Sequence, residues 1–247
     1  WEGKVIRKLT KQPAMTFAYS VTLRGVTNQI CNALTDLDNS GEKYLGGISN
    51  IEASRMLAPI VYEAISETVR AAAEGMLWLK ECVRITSKAK LPLTWTTPIG
   101  LPVVQDYRLY ERKTHGVYFG GRRIRLSLVQ PVTKINTRKQ GSGIGANYVH
   151  SMDASHLMSA TLMANANDIA YIAVIHDSFG THAADTDKLF EILRKTFVQQ
   201  YAGDVLAKFR DELIAQLPEE LHEEVPPCPS MGTLDINDVL NSEYAFS

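Results

Sequence analysis

Ile172-Ala173-Val174-Ile175-His176-Asp177-Ser178-Phe179-Gly180-Thr181-His182-Ala183 is the stretch on which the reading of this chain turns. A short apolar, β-branched run, a polar His-Asp-Ser break and a second run ending at Ala183 predict a β-hairpin. The Asp177-Ser178-Phe179-Gly180 segment supplies the turn, with Asp177 at its tip. A carboxylate held on a rigid strand end, backed by buried apolar neighbours, suits an oxygen-preferring Mg²⁺ ion. Taken alone, the segment is equally compatible with a solvated aspartate capping an ordinary hairpin.

Working upstream, residues 146–157 predict a helix that leads through Asn165-Ala166-Asn167-Asp168 into the hairpin. His150, Asp153 and His156 are three apart and so share one helix face. That spacing admits a metal site, but an aspartate satisfying a neighbouring histidine is the commoner arrangement. Downstream, one amphipathic helix begins near Thr186 with Leu189, Ile192, Leu193 and Phe197, and another spans about Val205 to Leu217. After the Pro226-Pro227-Cys228-Pro229 break, Asp235 to Leu240 predicts a short helix before Tyr244-Ala245-Phe246-Ser247.

At the other end, Arg7, Lys11, Met15 and Tyr19 are each four apart, so on a helix they share one face. Two cations and a phenol in one row suit a triphosphate with its sugar, and equally an amphipathic helix with solvated cations. Pro13 predicts a helix that starts near it or kinks there. The stretch to about Ile48 mixes apolar residues with Asp36, Asp38, Asn39, Ser40 and Gly46-Gly47, which predicts loop. Ser49 and Glu52 form a capping box opening a long helical stretch to about Val83, interrupted at Pro59. Met56, Ile60, Ala64, Ala72, Met76 and Leu79 make its expected core stripe.

The middle of the chain changes character. Thr94-Trp95-Thr96-Thr97, a Pro98-Ile99-Gly100 turn and Pro102 to Tyr107 read as strands. Between Leu101 and Gln140 there are nine Lys/Arg residues against Asp106 and Glu111, whereas from Thr181 onward thirteen acidic residues face five basic ones. A net charge of −1 therefore hides a basic middle beside an acidic third, a distribution that suits a polyanion bound along one face. Alternation from Arg123 to Leu128 puts Arg123 and Arg125 on one side of a strand. Such a basic ribbon, with Tyr110, Tyr118 and Phe119 near its tip, fits a DNA groove. A soluble, charged edge hairpin has the same composition.

The 247 residues with 45% hydrophobic content suffice for one large domain or two. Apolar runs fall far short of a membrane span. Cys31, Cys82 and Cys228 have no metal-ligand spacing, which suits a reducing cytoplasm. The chain opens with Trp1, which reads as a fragment, a processed product or half of a split protein.

In this order and with these separations, the stretches resemble the C-terminal part of the single-subunit RNA polymerases of bacteriophages and mitochondria, from about Ile6 to Ser247. Arg7-x₃-Lys11-x₃-Met15-Thr16-x₂-Tyr19 looks like the family's fingers-helix motif, His176-Asp177-Ser178 like its palm motif, and Val149-His150-Ser151-x-Asp153 like a third signature. The tail resembles the family's C-terminal foot. The resemblance implies an α+β, mostly helical right-hand fold. Fingers would occupy 1–150, including a basic specificity-type hairpin at about 102–132. Residues 151–247 would form the C-terminal palm, with its catalytic hairpin, and the foot. The N-terminal domain and the first palm segment would be lacking.

On this resemblance, Asp177 is one of two metal-binding aspartates serving two Mg²⁺ ions, the other lying upstream of the fingers motif and absent from this chain. Arg7 and Lys11 would contact the triphosphate, with Lys11 the proton donor to the leaving pyrophosphate. Tyr19 and His150 would select ribose, and Arg112, Lys113, Arg122, Arg123 and Arg125 would contact DNA. The implied partners are DNA template and promoter, RNA product, ribonucleoside triphosphates and the N-terminal portion of the polymerase, in the cytoplasm and with no membrane. Ser20 departs from the glycine usual after the fingers tyrosine. A family A DNA polymerase shares the fingers pattern but carries Phe at the Met15 position and Glu at the Ser178 position. A non-catalytic nucleic-acid-binding module has no need of Lys11, Tyr19 and Asp177 together.

Overall fold

The computed structural model describes residues 1–41, 43–175 and 177–246. Its architecture is α+β, mostly helical with small two-stranded antiparallel sheets. The chain divides into two units. One comprises Trp1–Lys80, Gly143–Val149 and Pro229–Gly232, and the other Glu81–Ser142, His150–Cys228 and Thr233–Ser247.

The first unit is built on α1 (Arg7–Phe17), α2 (Leu23–Asp38) and α3 (Asn50–Thr68). Helix α1 starts at Arg7, well before Pro13, and runs through it. Leu9, Pro13 and Phe17 form its buried row, and Phe17 meets Tyr62 of α3 edge-on at 5.2 Å. Helix α2 replaces the loop expected there. Thr22 caps it by accepting from the Gly25 amide at 3.1 Å, and Val26, Ile30 and Leu34, each four apart, are fully buried. Burying each of these side chains contributes about 1.5–3 kcal/mol, which outweighs the weak helix propensity of the Thr, Asn and Asp residues between them.

Ser49 caps α3 as expected, the Glu52 amide donating to Ser49 Oγ at 3.3 Å, while the Glu52 carboxylate accepts from the Ser49 hydroxyl at 2.9 Å and not from the backbone amide of a full capping box. Pro59 does not interrupt α3. It lies on the exposed side, where water can serve the carbonyl that a proline leaves unbonded. The break falls instead at Val69 (φ −109°, ψ 52°), before α4 (Arg70–Lys88). Of the expected core stripe Leu79 is buried, but along α3 the stripe is displaced. Met56 and Ile60 are 62% and 63% exposed, while Ala53, Leu57, Ala58 and Val61 are buried.

In the second unit, β1 (Leu93–Thr96) pairs with β2 (Pro102–Gln105) around the 98–100 turn. The long ribbon is β3 (Arg108–Phe119) with β4 (Arg122–Ile135), so the expected hairpin begins after β2 and extends to Ile135. Helix α5 (Thr137–Ala166) starts nine residues earlier than the sequence predicts, because Asn136 caps it by accepting from the Lys139 amide at 3.1 Å. Asp168, at φ 63°, ends the turn after α5 and delivers the chain to β5 (Ala173–Ile175) and β6 (Ser178–Gly180). Helices α6 (Thr186–Tyr201) and α7 (Val205–Gln216) lie where expected, and the 235–240 segment is a short 3₁₀ helix, Ile236–Asn241. Trp95 of β1 packs on Phe209 of α7 at 6.0 Å and donates to Ser151 Oγ at 2.9 Å.

Candidate active site and nucleic-acid ribbon

The predicted hairpin forms, but Ser178, Phe179 and Gly180, expected in the turn, are its second strand, which ends at Gly180 and not at Ala183. Ala173, Val174 and Ile175 pair with Gly180, Phe179 and Ser178, so Asp177 occupies the turn and is exposed. His176, the first residue of the quoted motif, lies outside the described residues, as does Ser247 of the tail. The expected apolar backing differs in source. Ile175 is 71% exposed, and the hairpin is seated through Ile172 and Phe179 on a core of Ala160, Ala164, Ile169, Leu189, Ile192 and Leu193. At its base Thr181 donates to the Tyr171 carbonyl at 2.8 Å, and Tyr171 stacks on His182 with ring centres 5.1 Å apart.

His150, Asp153 and His156 all lie on α5, but their environments diverge. His150 and Asp153 are exposed, whereas His156 is buried and bonded to α6, with Nε2 3.0 Å from the Leu193 carbonyl. Burial lowers the His156 pKa below its ordinary value, opposed by the Leu193 carbonyl and the Asp153 charge. The imidazole thus finds its partner in a backbone carbonyl of α6. Among the described residues no group of three or more His, Cys, Asp or Glu side chains is arranged to hold a metal.

In the first unit, α1 presents Arg7, Lys11 and Met15 to solvent on the row opposite Leu9, Pro13 and Phe17. Tyr19 lies just beyond the helix, in a turn where its amide donates to the Thr16 carbonyl at 3.0 Å. Ser20 follows in the left-handed region, φ 64°, with its hydroxyl 3.5 Å from Met76 Sδ. A non-glycine residue pays a steric cost in that conformation, which is the physical meaning of the departure noted at this position. Arg7, Lys11 and Tyr19 belong to the first unit, and His150 and Asp177 to the second.

The ribbon turns through Gly120 and Gly121, both at positive φ (57° and 76°), a pair of conformations that matches strand twist in a two-residue hairpin. Its register sorts the candidate cations. Arg112, Arg123 and Arg125, with Tyr110, Tyr118, Thr114 and Ser127, share one face. Lys113 and Arg122 fall on the other, among Val117, Phe119, Ile124, Leu126 and Leu128. The Arg123 guanidinium lies across Gly116, where an added Cβ would come within 3.0 Å of it. Cations and aromatic rings on one exposed face of a free-standing ribbon suit phosphates and base edges.

Residues 1–225 match the model of the family described as DNA-dependent RNA polymerase. The chain belongs to this family. It is 36% identical to DNA-directed RNA polymerase 2A of Nicotiana tabacum over 249 residues, covering 99% of this chain and 70% of that protein. It is 36% identical to the DNA-directed RNA polymerase of Enterobacteria phage T3 over 261 residues, and 33% identical to T7 RNA polymerase of Escherichia phage T7 over 260 residues. Each of these two matches covers 98% of this chain and 29% of the phage protein. The chain thus spans less than a third of the length of the phage relatives. No described helix is long and apolar enough to cross a membrane.

The structure also brings forward a ring cluster and one residue, Arg194, that sequence reasoning passed over. The ring of His156 gathers Phe179, Phe197 and Phe246, and Arg194 is buried against the chain's last turns. Arg194 stands one turn from Phe190 and Phe197, beside the stripe of Leu189, Ile192, Leu193 and Phe197 on α6. A cation one turn from two phenylalanines was the available signal.

Proposed function

We propose that these 247 residues are the fingers and the C-terminal palm of a DNA-directed RNA polymerase, the fingers to about residue 150 and the palm and foot beyond it. On this reading the chain adds ribonucleotides to an RNA 3′ end on a DNA template, together with polymerase polypeptide outside it. The observation that carries the reading is the face of α1. In a member of this family, Arg7 and Lys11 stand solvent-facing one turn apart, backed by a buried row that fixes the helix.

Arg7 and Lys11 hold the triphosphate, and Lys11 gives its proton to the departing pyrophosphate. Tyr19 meets the ribose and, with His150, helps select ribonucleotides by the 2′-hydroxyl. Asp177, an exposed carboxylate at a strand turn, fits the oxygen donor that Mg²⁺ requires. A pair of such ions supplies charge stabilisation to an in-line displacement, and the second aspartate they need comes from the N-terminal portion. Arg112, Arg123 and Arg125 contact template or promoter DNA from one ribbon face, while Lys113 and Arg122 reach phosphate only from its edge. Three cysteines without disulfide partners suit work in a reducing cytoplasm, that of a host cell if the gene is a phage's.

Primer extension tests this directly. The chain alone, with DNA template, RNA primer, Mg²⁺ and ribonucleotides, is expected to be inactive, and to synthesise RNA once an upstream polymerase polypeptide is added. Asp177→Ala then abolishes extension and leaves DNA binding intact. Synthesis retained by that variant would refute the metal role.

A further inference from the structure

The β5–β6 hairpin is too short to define its own orientation, so what it rests on decides where Asp177 points. Beside the apolar core under Ile172 and Phe179, the one anchored ring against Phe179 among the described residues is that of His156 of α5. Its Nε2 lies 3.0 Å from the Leu193 carbonyl and 3.1 Å from Thr196 Oγ1. The Thr196 hydroxyl donates to the Ile192 carbonyl at 2.8 Å, so its oxygen accepts and the hydrogen sits on Nε2. The ring is thereby fixed in one tautomer and one plane by two groups of α6.

Against that ring stand three phenyl groups: Phe179 of β6 edge-on at 6.1 Å, Phe197 of α6 edge-on at 5.6 Å, and Phe246 tilted at 5.2 Å. Phe246 is itself held. Buried Arg194 donates through Nε to the Val239 carbonyl at 3.2 Å and through Nη2 to the Ser242 carbonyl, and its guanidinium lies 3.4 Å over Phe190. Phe179 is two residues from Asp177 and pairs with Val174. A continuous set of contacts therefore runs from Arg194 through the last residues and His156 to the strand that carries the turn.

We propose that His156 is a positioning residue, setting the place of the β5–β6 turn and hence the direction of the Asp177 carboxylate by giving Phe179 and Phe246 a fixed ring to rest on. The inference rests on the reading of Asp177 above. Filling the space is one part of the role, and anchoring to Leu193 and Thr196 is the other. His156→Phe separates them, because it keeps ring contacts and loses the anchor. The Leu193 carbonyl then still accepts from Thr196 at 3.1 Å.

Hydrogen exchange in the 247-residue chain tests the structural half. His156→Ala is expected to speed exchange of the amides in 173–180 by about tenfold, the loss of two or more ring contacts, with the amides of α2 unaffected. His156→Phe gives a smaller increase in the same segment. If the alanine variant fails to fold, His156→Gln, which keeps a donor toward Leu193, is read in the same way. Exchange in 173–180 unchanged in a folded variant would overturn the proposal.

The functional half is the Mg²⁺ concentration for half-maximal primer extension in the complemented enzyme. It rises severalfold in His156→Phe while DNA affinity holds. A role in folding alone lowers the active fraction without moving that midpoint, and that result would also overturn the proposal. Activity retained by Asp177→Asn would remove the metal reading of Asp177 and leave the exchange result standing, so the two failures are distinguishable.

Discussion

Ser20 and Gly145 meet so closely that their substitutions must be coupled. A Cβ added at Gly145 would lie 2.3 Å from Ser20 Oγ, 3.2 Å from Ser20 Cβ and 2.8 Å from Met76 Sδ. Rotation can move the hydroxyl and the thioether aside, but Ser20 Cβ is fixed by a backbone at φ 64°. Gly145→Ala therefore incurs an overpacking cost of about 1–3 kcal/mol, offset by about 1 kcal/mol from alanine's better helix propensity within α5. Ser20→Gly relieves a left-handed strain of about 1–2 kcal/mol and gives back about 0.5–1 kcal/mol in unfolded-chain entropy. In the double variant both Ser20 atoms are gone from the clash, and the helix gain dominates. The expected result is that Gly145→Ala destabilises the parent and is neutral or stabilising beside Ser20→Gly. The coupling should reach about 1 kcal/mol or more, read from urea unfolding of the four chains. Additivity within about 0.5 kcal/mol would mean the two positions do not touch.

Tyr19→Phe in the complemented enzyme should chiefly relax discrimination against deoxynucleotides; a competition between ATP and dATP measures it, and an unaltered ratio would remove Tyr19 from ribose selection. Replacing Arg123 and Arg125 together with Ala should weaken DNA binding and reduce the salt slope by about 2, whereas Lys113→Ala with Arg122→Ala should change it less because those side chains face the apolar side. Equal losses from the two pairs would contradict the register. His156, whose folded pKa lies below its ordinary value of 6.5, takes up its proton more readily when unfolded. Stability is therefore full above pH 6.5 and falls as pH drops toward the folded value. His156→Phe should remove that part of the decline in an unfolding series across pH.

The sequence was most informative where a pattern had one physical meaning. The Ser49 cap, the row of Arg7, Lys11 and Met15 on α1 and the alternation of Arg123 and Arg125 each demand one local geometry, and each forms, with Tyr19 alone falling beyond the helix. It was least informative where packing overrides local preference. Polar residues along 23–38 read as loop, yet Val26, Ile30 and Leu34 bury one face and make a helix. Pro59 reads as an interruption, yet its place on an exposed face makes the lost bond inexpensive. The candidate site divides in the same way. Asp177 was legible because a polar break between apolar runs must turn there. The dependence of that turn on His156 and Phe246 was not, since it joins residues some ninety positions apart and rests on ring contacts that leave no periodicity.

Nearly every side chain of the β3–β4 ribbon is exposed, and burial is reached only at its foot, at Ile135. Substitutions along its length therefore cost the core almost nothing. Selection acting on which nucleic acid the ribbon meets is thus freed from the stability threshold that constrains the rest of the chain. A lineage could exchange one recognition sequence for another by changing Arg123, Arg125 and their neighbours while inheriting the scaffold unaltered.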